Sequence, residues 1–265
     1  MKLVIKVGGS LLENADARNA IAHQLAEIAD KQELVVVHGG GKQVTQFLEE
    51  HGVKSQFVAG LRISDEPVID AVIQVIAGAV NKRLVSAIIA AGKAAVGLSG
   101  VDGPLTVAER MDPALGCVGR PAGTDGRLLD VLVSAGYLPV VACIAGDREG
   151  NVYNVNADQM AVSCANGWCA EKLLFLTDVA GVKDQAGRVL PHISPNQVRA
   201  LIETGVAHGG MQAKLEAAVA ALRAGIGEVI VAPGQDPNVC SRLLSGETLG
   251  TRLTRASIPE KGATA

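Results

Sequence analysis

An α/β fold, a three-layer αβα sandwich around a central, mainly parallel sheet, is what this 265-residue sequence predicts. Short β-branched runs recur at residues 3–7, 34–37, 94–98, 138–143, 173–176 and 229–231, and helical periodicity separates them. The runs are apolar throughout rather than alternating, as expected of strands covered on both faces. Composition agrees: 48% of residues are hydrophobic, only 2% are aromatic, and there are 31 glycines. Such a core is built from Ala, Val, Leu and Ile around many tight turns.

The first run holds Lys6 and leads into Gly8, Gly9 and Ser10. Glycines lacking Cβ let backbone N–H groups approach phosphate oxygens, and a lysine inside an apolar strand is costly without an anionic partner. The second run ends at His38, followed by Gly39, Gly40, Gly41 and Lys42. Three glycines before a helix suit an oxyanion. His38 is open to two readings, a catalyst or a hydrogen-bonded structural histidine. Gly-Leu-Arg-Ile-Ser-Asp at 60–65 puts Arg62 just ahead of a helix with Ser64 or Asp65 as N-cap. Its planar fork fits a substrate carboxylate, although arginine in this position also serves as a plain surface residue.

Helical periodicity runs from 66 to 91 with a stripe of Val, Ile and Leu wider than one sheet face requires. Ordinary core and a subunit interface both explain it. Polar, glycine-containing stretches at 101–124 and 146–152 read as hairpins or lids at the sheet edge. Asn-Val-Asn-Ala-Asp at 154–158 opens the next helix, where Asp158 either ligates magnesium, holds the two lysines or caps the helix, and Asn154 faces substrate polar groups. Leu-Thr-Asp-Val-Ala-Gly-Val at 176–182 ends a strand where an α/β sheet binds its ligand. Gly209, Gly210 and Met211 then precede a second conspicuous lysine, Lys214.

The chain reads as one domain with two functional halves, about 1–150 and 151–254, joined near 147–156, and a polar tail at 255–265. The net charge of −3 carries no basic block, so nucleic acid is not an expected partner. Five cysteines without a Cys-x-x-Cys pair suggest reduced thiols and a cytoplasmic protein. The apolar run at 71–80 is shorter than the ~20 residues of a bilayer span, so no membrane association is expected. Phosphate-loop, dinucleotide, protein-kinase and His-Glu-x-x-His patterns are missing.

In order, Lys-Val-Gly-Gly-Ser, Val-His-Gly-Gly-Gly, Gly-Leu-Arg-Ile-Ser-Asp, Val-Gly-Leu-Ser-Gly-Val-Asp-Gly, Asn-Val-Asn-Ala-Asp, Leu-Thr-Asp-Val-Ala-Gly-Val and Gly-Gly-Met-Gln-Ala-Lys closely resemble the amino-acid kinase family over residues 1–253. Within the family the resemblance is to the branch acting on N-acetyl-L-glutamate. It implies ATP as co-substrate with Mg2+ held mainly by the ATP phosphates, no dedicated protein metal site, and an acyl phosphate product of arginine biosynthesis.

Residue by residue, it implies that Lys6 and Lys214 stabilise the phosphoryl group in flight while Asp158 orients both lysines. Gly8, Gly9, Gly40 and Gly41 would donate amides to nucleotide phosphates and to the acceptor carboxylate, and Arg62 and Asn154 would bind the acceptor. ATP would contact Gly8, Gly9, Asp178, Val179, Ala180, Gly181, Val182, Lys183, Gly209, Gly210 and Met211. The branch acting on carrier-bound aminoadipate reads more like Gly-Ile-Arg-Ser-Arg-Tyr at 60–65, so acetylglutamate is favoured over another acidic amino-acid derivative. A sensor without catalysis is the alternative from another class. A homodimer centred on the 66–91 helix is expected; a hexamer and an arginine-inhibited form are not.

Overall fold

Every one of the six apolar runs becomes a strand of one sheet. In the computed structural model, residues 1–58 and 60–255 are described. The expected tail at 255–265 falls outside them except for Arg255, whose Nε donates to the Leu222 carbonyl at 2.6 Å.

From the N-terminus, β1 (Lys2–Val7) leads through a 3-10 turn (Gly9–Leu12) into α1 (Ala15–Ala29), and β2 (Glu33–His38) into α2 (Gly41–Glu50). A short hairpin of β3 (Phe57–Val58) and β4 (Leu61–Arg62) precedes α3 (Glu66–Val72), which runs on as a π-helical stretch (Ile73–Val80) and α4 (Asn81–Ala90). Next come β5 (Ala95–Ser99), β6 (Thr106–Arg110), β7 (Val118–Thr124), α5 (Arg127–Ser134), β8 (Leu138–Ala142), β9 (Ile144–Gly146), β10 (Val152–Val155) and α6 (Ala157–Gly167). The remaining elements are β11 (Lys172–Thr177), β12 (His192–Ile193), α7 (Pro195–Glu203), α8 (Gly209–Ala224), β13 (Glu228–Pro233), α9 (Val239–Leu244) and β14 (Thr251–Thr254).

The main sheet has the order β12-β14-β13-β11-β1-β2-β8-β5, and only the β13–β14 pair is antiparallel. Helices α1, α4 and α9 pack together on one face, and α5, α6 and α8 lie on the other. β1 sits at the middle, with Lys6 in register with Val37 of β2 and Phe175 of β11. Because these strands are parallel, the turns after β1, β2 and β11 leave the same edge, where α/β sheets bind ligands. The stretches read as hairpins or lids are hairpins: β6 pairs antiparallel with β7 and β9 with β10, and the four strands close into a small barrel beside the sheet.

The long helix spans Glu66–Ala90, 25 residues with a mean hydropathy of 1.5 over its most apolar window. By length and composition it passes for a membrane span, which the shorter run at 71–80 had argued against. Its packing assigns it to the core: Val72, Val80, Leu84 and Ile88 are buried against the rest of the protein. Asn81, fully buried, donates from Nδ2 to His38 Nε2 and to the Val140 carbonyl, each at 2.9 Å. A buried amide is tolerated only when so bonded. β5 makes room for it with Gly97, where an added Cβ would lie 1.9 Å from Asn81 Oδ1.

These contacts decide between the two readings of His38 in favour of the structural one. Its Nδ1 donates to the Gly39 carbonyl at 2.9 Å while Nε2 accepts from Asn81, and burial holds the imidazole neutral with a pKa lowered to about 4. The unfolded chain binds this proton near pH 6.5, so between pH 6.5 and 4 it carries more protons than the folded one and stability falls as the pH drops. The full difference is on the order of 3 kcal/mol. Urea unfolding between pH 7 and 4.5 is expected to show that slope in the wild type and a flatter one in His38→Gln; equal slopes would refute the assignment.

Candidate active site

A carboxylate shared by two ammonium groups lies at the centre of the sheet's ligand-binding edge. Lys6, next to the last residue of β1, places Nζ 2.9 Å from Asp158 Oδ1, and Lys214, in the second turn of α8, places Nζ 2.9 Å from Asp158 Oδ2. All three are buried. Asp158 stands in the first turn of α6, whose N-cap Asn156 accepts from the backbone N–H of Asp158 and Gln159. The helix dipole favours an anion there.

Burial pushes the Asp158 carboxyl up, but Lys6 and then Lys214 outweigh it and hold the group below its ordinary value. Lys214 is pushed down, first by burial and next by repulsion from Lys6, which Asp158 and Asp178 only partly offset. Its ammonium also lies 5.2 Å from the Phe175 ring centre, a favourable cation–π contact. Two cations against one carboxylate leave a positive charge in a water-poor site, which only an added anion balances.

The glycines after β1 and β2, Gly9, Gly40 and Gly41, line one cavity with Lys6. Helix α2 begins at Gly41 and α8 at Gly209, and neither has a capping side chain. Their first N–H groups have no intrahelical partner by geometry and are free for an anion. The contrast is with α1, α3 and α7, whose termini are capped by Asn14, Asp65 and Ser194. The Gly9 and Gly40 turns approach closely, a Cβ on Gly9 falling 3.7 Å from Gly40 Cα. Gly8 differs from expectation: its N–H already donates to the Leu176 carbonyl at 2.9 Å, so it extends the sheet and its amide is not free for phosphate.

Beside the lysines opens a cavity of about 230 Å3 lined by Lys6, Gly9, Gly40, Gly41, Arg62, Ile76, Cys143 and Asn154 among others. That is smaller than the ~300–1,000 Å3 of sites for drug-sized ligands, and it suits a small metabolite. Arg62 is buried at 7% exposure. Its Nη2 donates to the Gly41 carbonyl at 2.7 Å and to Thr45 Oγ1 at 2.8 Å, Nη1 reaches Ser55 Oγ, and the Phe57 ring covers it at 4.7 Å. Burial lowers its pKa, and among the described residues no carboxylate pairs with it. The expected surface alternative is thereby excluded. Asn154 donates from Nδ2 to Ser64 Oγ at 3.1 Å, and Ser64 in turn to the Arg62 carbonyl at 3.0 Å.

Past the lysines a second cavity, of about 560 Å3, is lined by Thr177, Asp178, Ala180, Pro191, Pro233 and Gly250 among others. The other expected nucleotide residues on this segment lie differently. Val182 is buried in the core with its N–H donating to Thr251 Oγ1, Gly181 packs against Thr251 and Val189, and Lys183 bridges backbone with Val189. Val179 is exposed, and neither it nor these three line the cavity. Gly209, Gly210 and Met211 form the first turn of α8. Both Asp158 oxygens are taken by lysines, and among the described residues no cluster of three His, Cys, Asp or Glu side chains could hold a metal.

Sequence reasoning missed the groups that shape Arg62. Thr45, four residues beyond Gly41 on α2, had a signal in its helical spacing. Ser55, in a loop, had none.

The Amino acid kinase family profile matches residues 1–233. The chain is 51% identical over 257 residues to an acetylglutamate kinase of Solibacter usitatus, covering 97% of this chain and all of that protein. It is 40% identical to the acetylglutamate kinase of Acidobacterium capsulatum over 96% of this chain and 99% of that protein. Among solved structures, the protein smu.665 of Streptococcus mutans aligns with TM-score 0.83 and 28% identity over 96% of this chain and 98% of the other. The N-acetylglutamate synthase of Neisseria gonorrhoeae, complexed with coenzyme A and N-acetyl-glutamate, aligns with TM-score 0.85 and 24% identity, which speaks for the fold alone. There the match covers 97% of this chain but 60% of the synthase. With the site built on the sheet edge as described and the profile spanning most of the sequence, the chain belongs to the amino acid kinase family.

Proposed function

We propose that the protein transfers the γ-phosphoryl group of ATP to the side-chain carboxylate of N-acetyl-L-glutamate, giving N-acetyl-L-glutamyl 5-phosphate in arginine biosynthesis. One observation carries the phosphoryl-transfer reading: the buried, net positive Lys6–Asp158–Lys214 group, whose Lys6 lines the smaller cavity. The named relatives support the choice of acceptor. A purely binding protein would have no use for two ammonium groups held at a point where negative charge develops only during transfer.

In this reading Arg62 and Asn154 hold the acceptor, and the amides of Gly40 and Gly41 face its reacting carboxylate. The carboxylate oxygen attacks phosphorus as the bond to the ADP oxygen breaks. It is already ionised, so no general base is needed, and a neutral, buried His38 is no obstacle. Lys6 and Lys214 follow the charge across, while Asp158 keeps both side chains aimed. The nucleotide occupies the cavity at Thr177, Asp178 and Ala180, with the free amides of α8 toward its phosphates. Mg2+ fits as an ion carried by the phosphates and water, since both Asp158 oxygens are ion-paired with lysines; the chemistry it would supply is neutralisation of phosphate charge.

For assembly, we infer a cytoplasmic homodimer. The Glu66–Ala90 helix buries one face in the core yet leaves Ala77 and Val85 partly exposed and Ile89 54% exposed along one side, apolar surface for a second copy. Sedimentation is expected to give a dimer that Ile89→Arg dissociates; a wild-type monomer would overturn the inference.

A coupled ADP-release assay across N-acetylglutamate, glutamate, aspartate and carbamate is expected to show turnover with N-acetylglutamate, and a preference for another acceptor would reject the proposal. Lys214→Ala is expected to cut kcat by about 10²- to 10³-fold, the scale of losing one donor to transition-state charge, with little change in KM. Normal turnover with only a raised KM would argue against that role. Arg62→Lys keeps the charge but loses the fork, so KM for the acceptor should rise strongly while KM for ATP stays nearly constant. An equal rise for both would assign Arg62 to the fold.

A further inference from the structure

Gln43, the third residue of α2, spans the seam between the two glycine turns. Its Nε2 donates to the Gly9 carbonyl at 3.1 Å, tying the end of β1 to the first turn of the helix after β2. Its Oε1 lies 3.7 Å from where a Cβ on Gly9 would stand and 3.8 Å from the same point on Gly40. That oxygen is buried and accepts no hydrogen bond among the described residues. An unpaired buried acceptor costs about 1–3 kcal/mol, and such a cost in a native fold calls for an explanation.

A structural carboxamide would be expected to satisfy both its ends; this one satisfies only the end that ties the turns together. What the seam needs is spacing. Gly9 and Gly40 lie in the turns that follow two separate strands, and neither has a side chain with which to hold the other. A Cβ on Gly9 would make ordinary contact, at 3.7 Å, with Gly40 Cα and N, so the two turns already lie side by side where Gln43 joins them.

We propose, resting on the phosphoryl-transfer reading, that Gln43 is a positioning residue that sets the separation of the Gly9 and Gly40 turns, and so the aim of their amides at the phosphoryl group in flight. It need not touch either substrate. A shift of about 1 Å in a positioning element can cost about 10²-fold in rate while leaving ground-state binding in place.

The test is Gln43→Met, which keeps the volume and removes the donor, beside Gln46→Met, which breaks an exposed bond to Glu50 on the same helix. For Gln43→Met, kcat is expected to fall about 10- to 100-fold, KM for acceptor and for ATP to change less than threefold, and the melting temperature to stay near the wild type; Gln43→Glu, without a donor, should behave alike. Gln46→Met should match the wild type. Unchanged kcat in Gln43→Met, a raised acceptor KM with normal kcat, or a loss that follows the melting temperature would overturn the proposal. A wild-type protein with no turnover on any acceptor would instead overturn the functional reading, and this proposal with it.

Discussion

Two ammonium groups sharing one buried carboxylate set the terms for the rest of the structure. Charges are held out of water only where geometry and partners are fixed, so each member is anchored in a rigid element: Lys6 on the central strand, Asp158 at the start of α6, Lys214 within α8. That requirement explains why β1 lies between β2 and β11. A central strand gives the lysine a neighbour on each side, β2 and β11, to hold it.

The same excess of positive charge organises the backbone around it. Free amides at α2 and α8 supply further positive ends, while α1, α3 and α7 are closed with Asn14, Asp65 and Ser194 caps. Arg62 repeats the pattern on a smaller scale, a cation buried among hydroxyls, a carbonyl and an aromatic ring. The protein holds cations apart at defined distances and leaves the anions to its substrates.

Much of this was legible before any coordinates. Lys6 and Lys214 stood out because a charged residue in an apolar run or beside a glycine turn is hard to explain otherwise, whereas Asp158 was joined to them only by the family resemblance; continuous apolar strands gave the parallel sheet. Less was legible where a group's role depends on what its backbone already bonds. Gly8 sits in the same motif as Gly9, yet its amide belongs to the sheet. Val182 shares a segment with Asp178 but is buried beneath it. The hairpins of β6–β7 and β9–β10 were legible, but not their closure into one barrel, since short polar strands carry little periodicity. His38 and Asn81, 43 residues apart, form one hydrogen-bonded unit that no local pattern signals.

The π-helical stretch from Ile73 to Val80 has a consequence for how this fold tolerates change in length. Ile76 and Val80 pack over Gly40 from this stretch, whereas Asn81 and Leu84, immediately beyond it, serve β2, β8 and the core. A wider turn accommodates extra residue without lengthening the path, so the two ends of the helix are phased by the stretch between them. Loss of one residue there lets the stretch tighten to ordinary α-helix with Asn81 still directed at His38, whereas a further loss, with no wide turn left to absorb it, would turn everything downstream by about 100°. Asn81 would then swing away from His38, although no residue at either place had been altered. Tolerance to deletion in this apolar segment is therefore set by rotation rather than by chemistry.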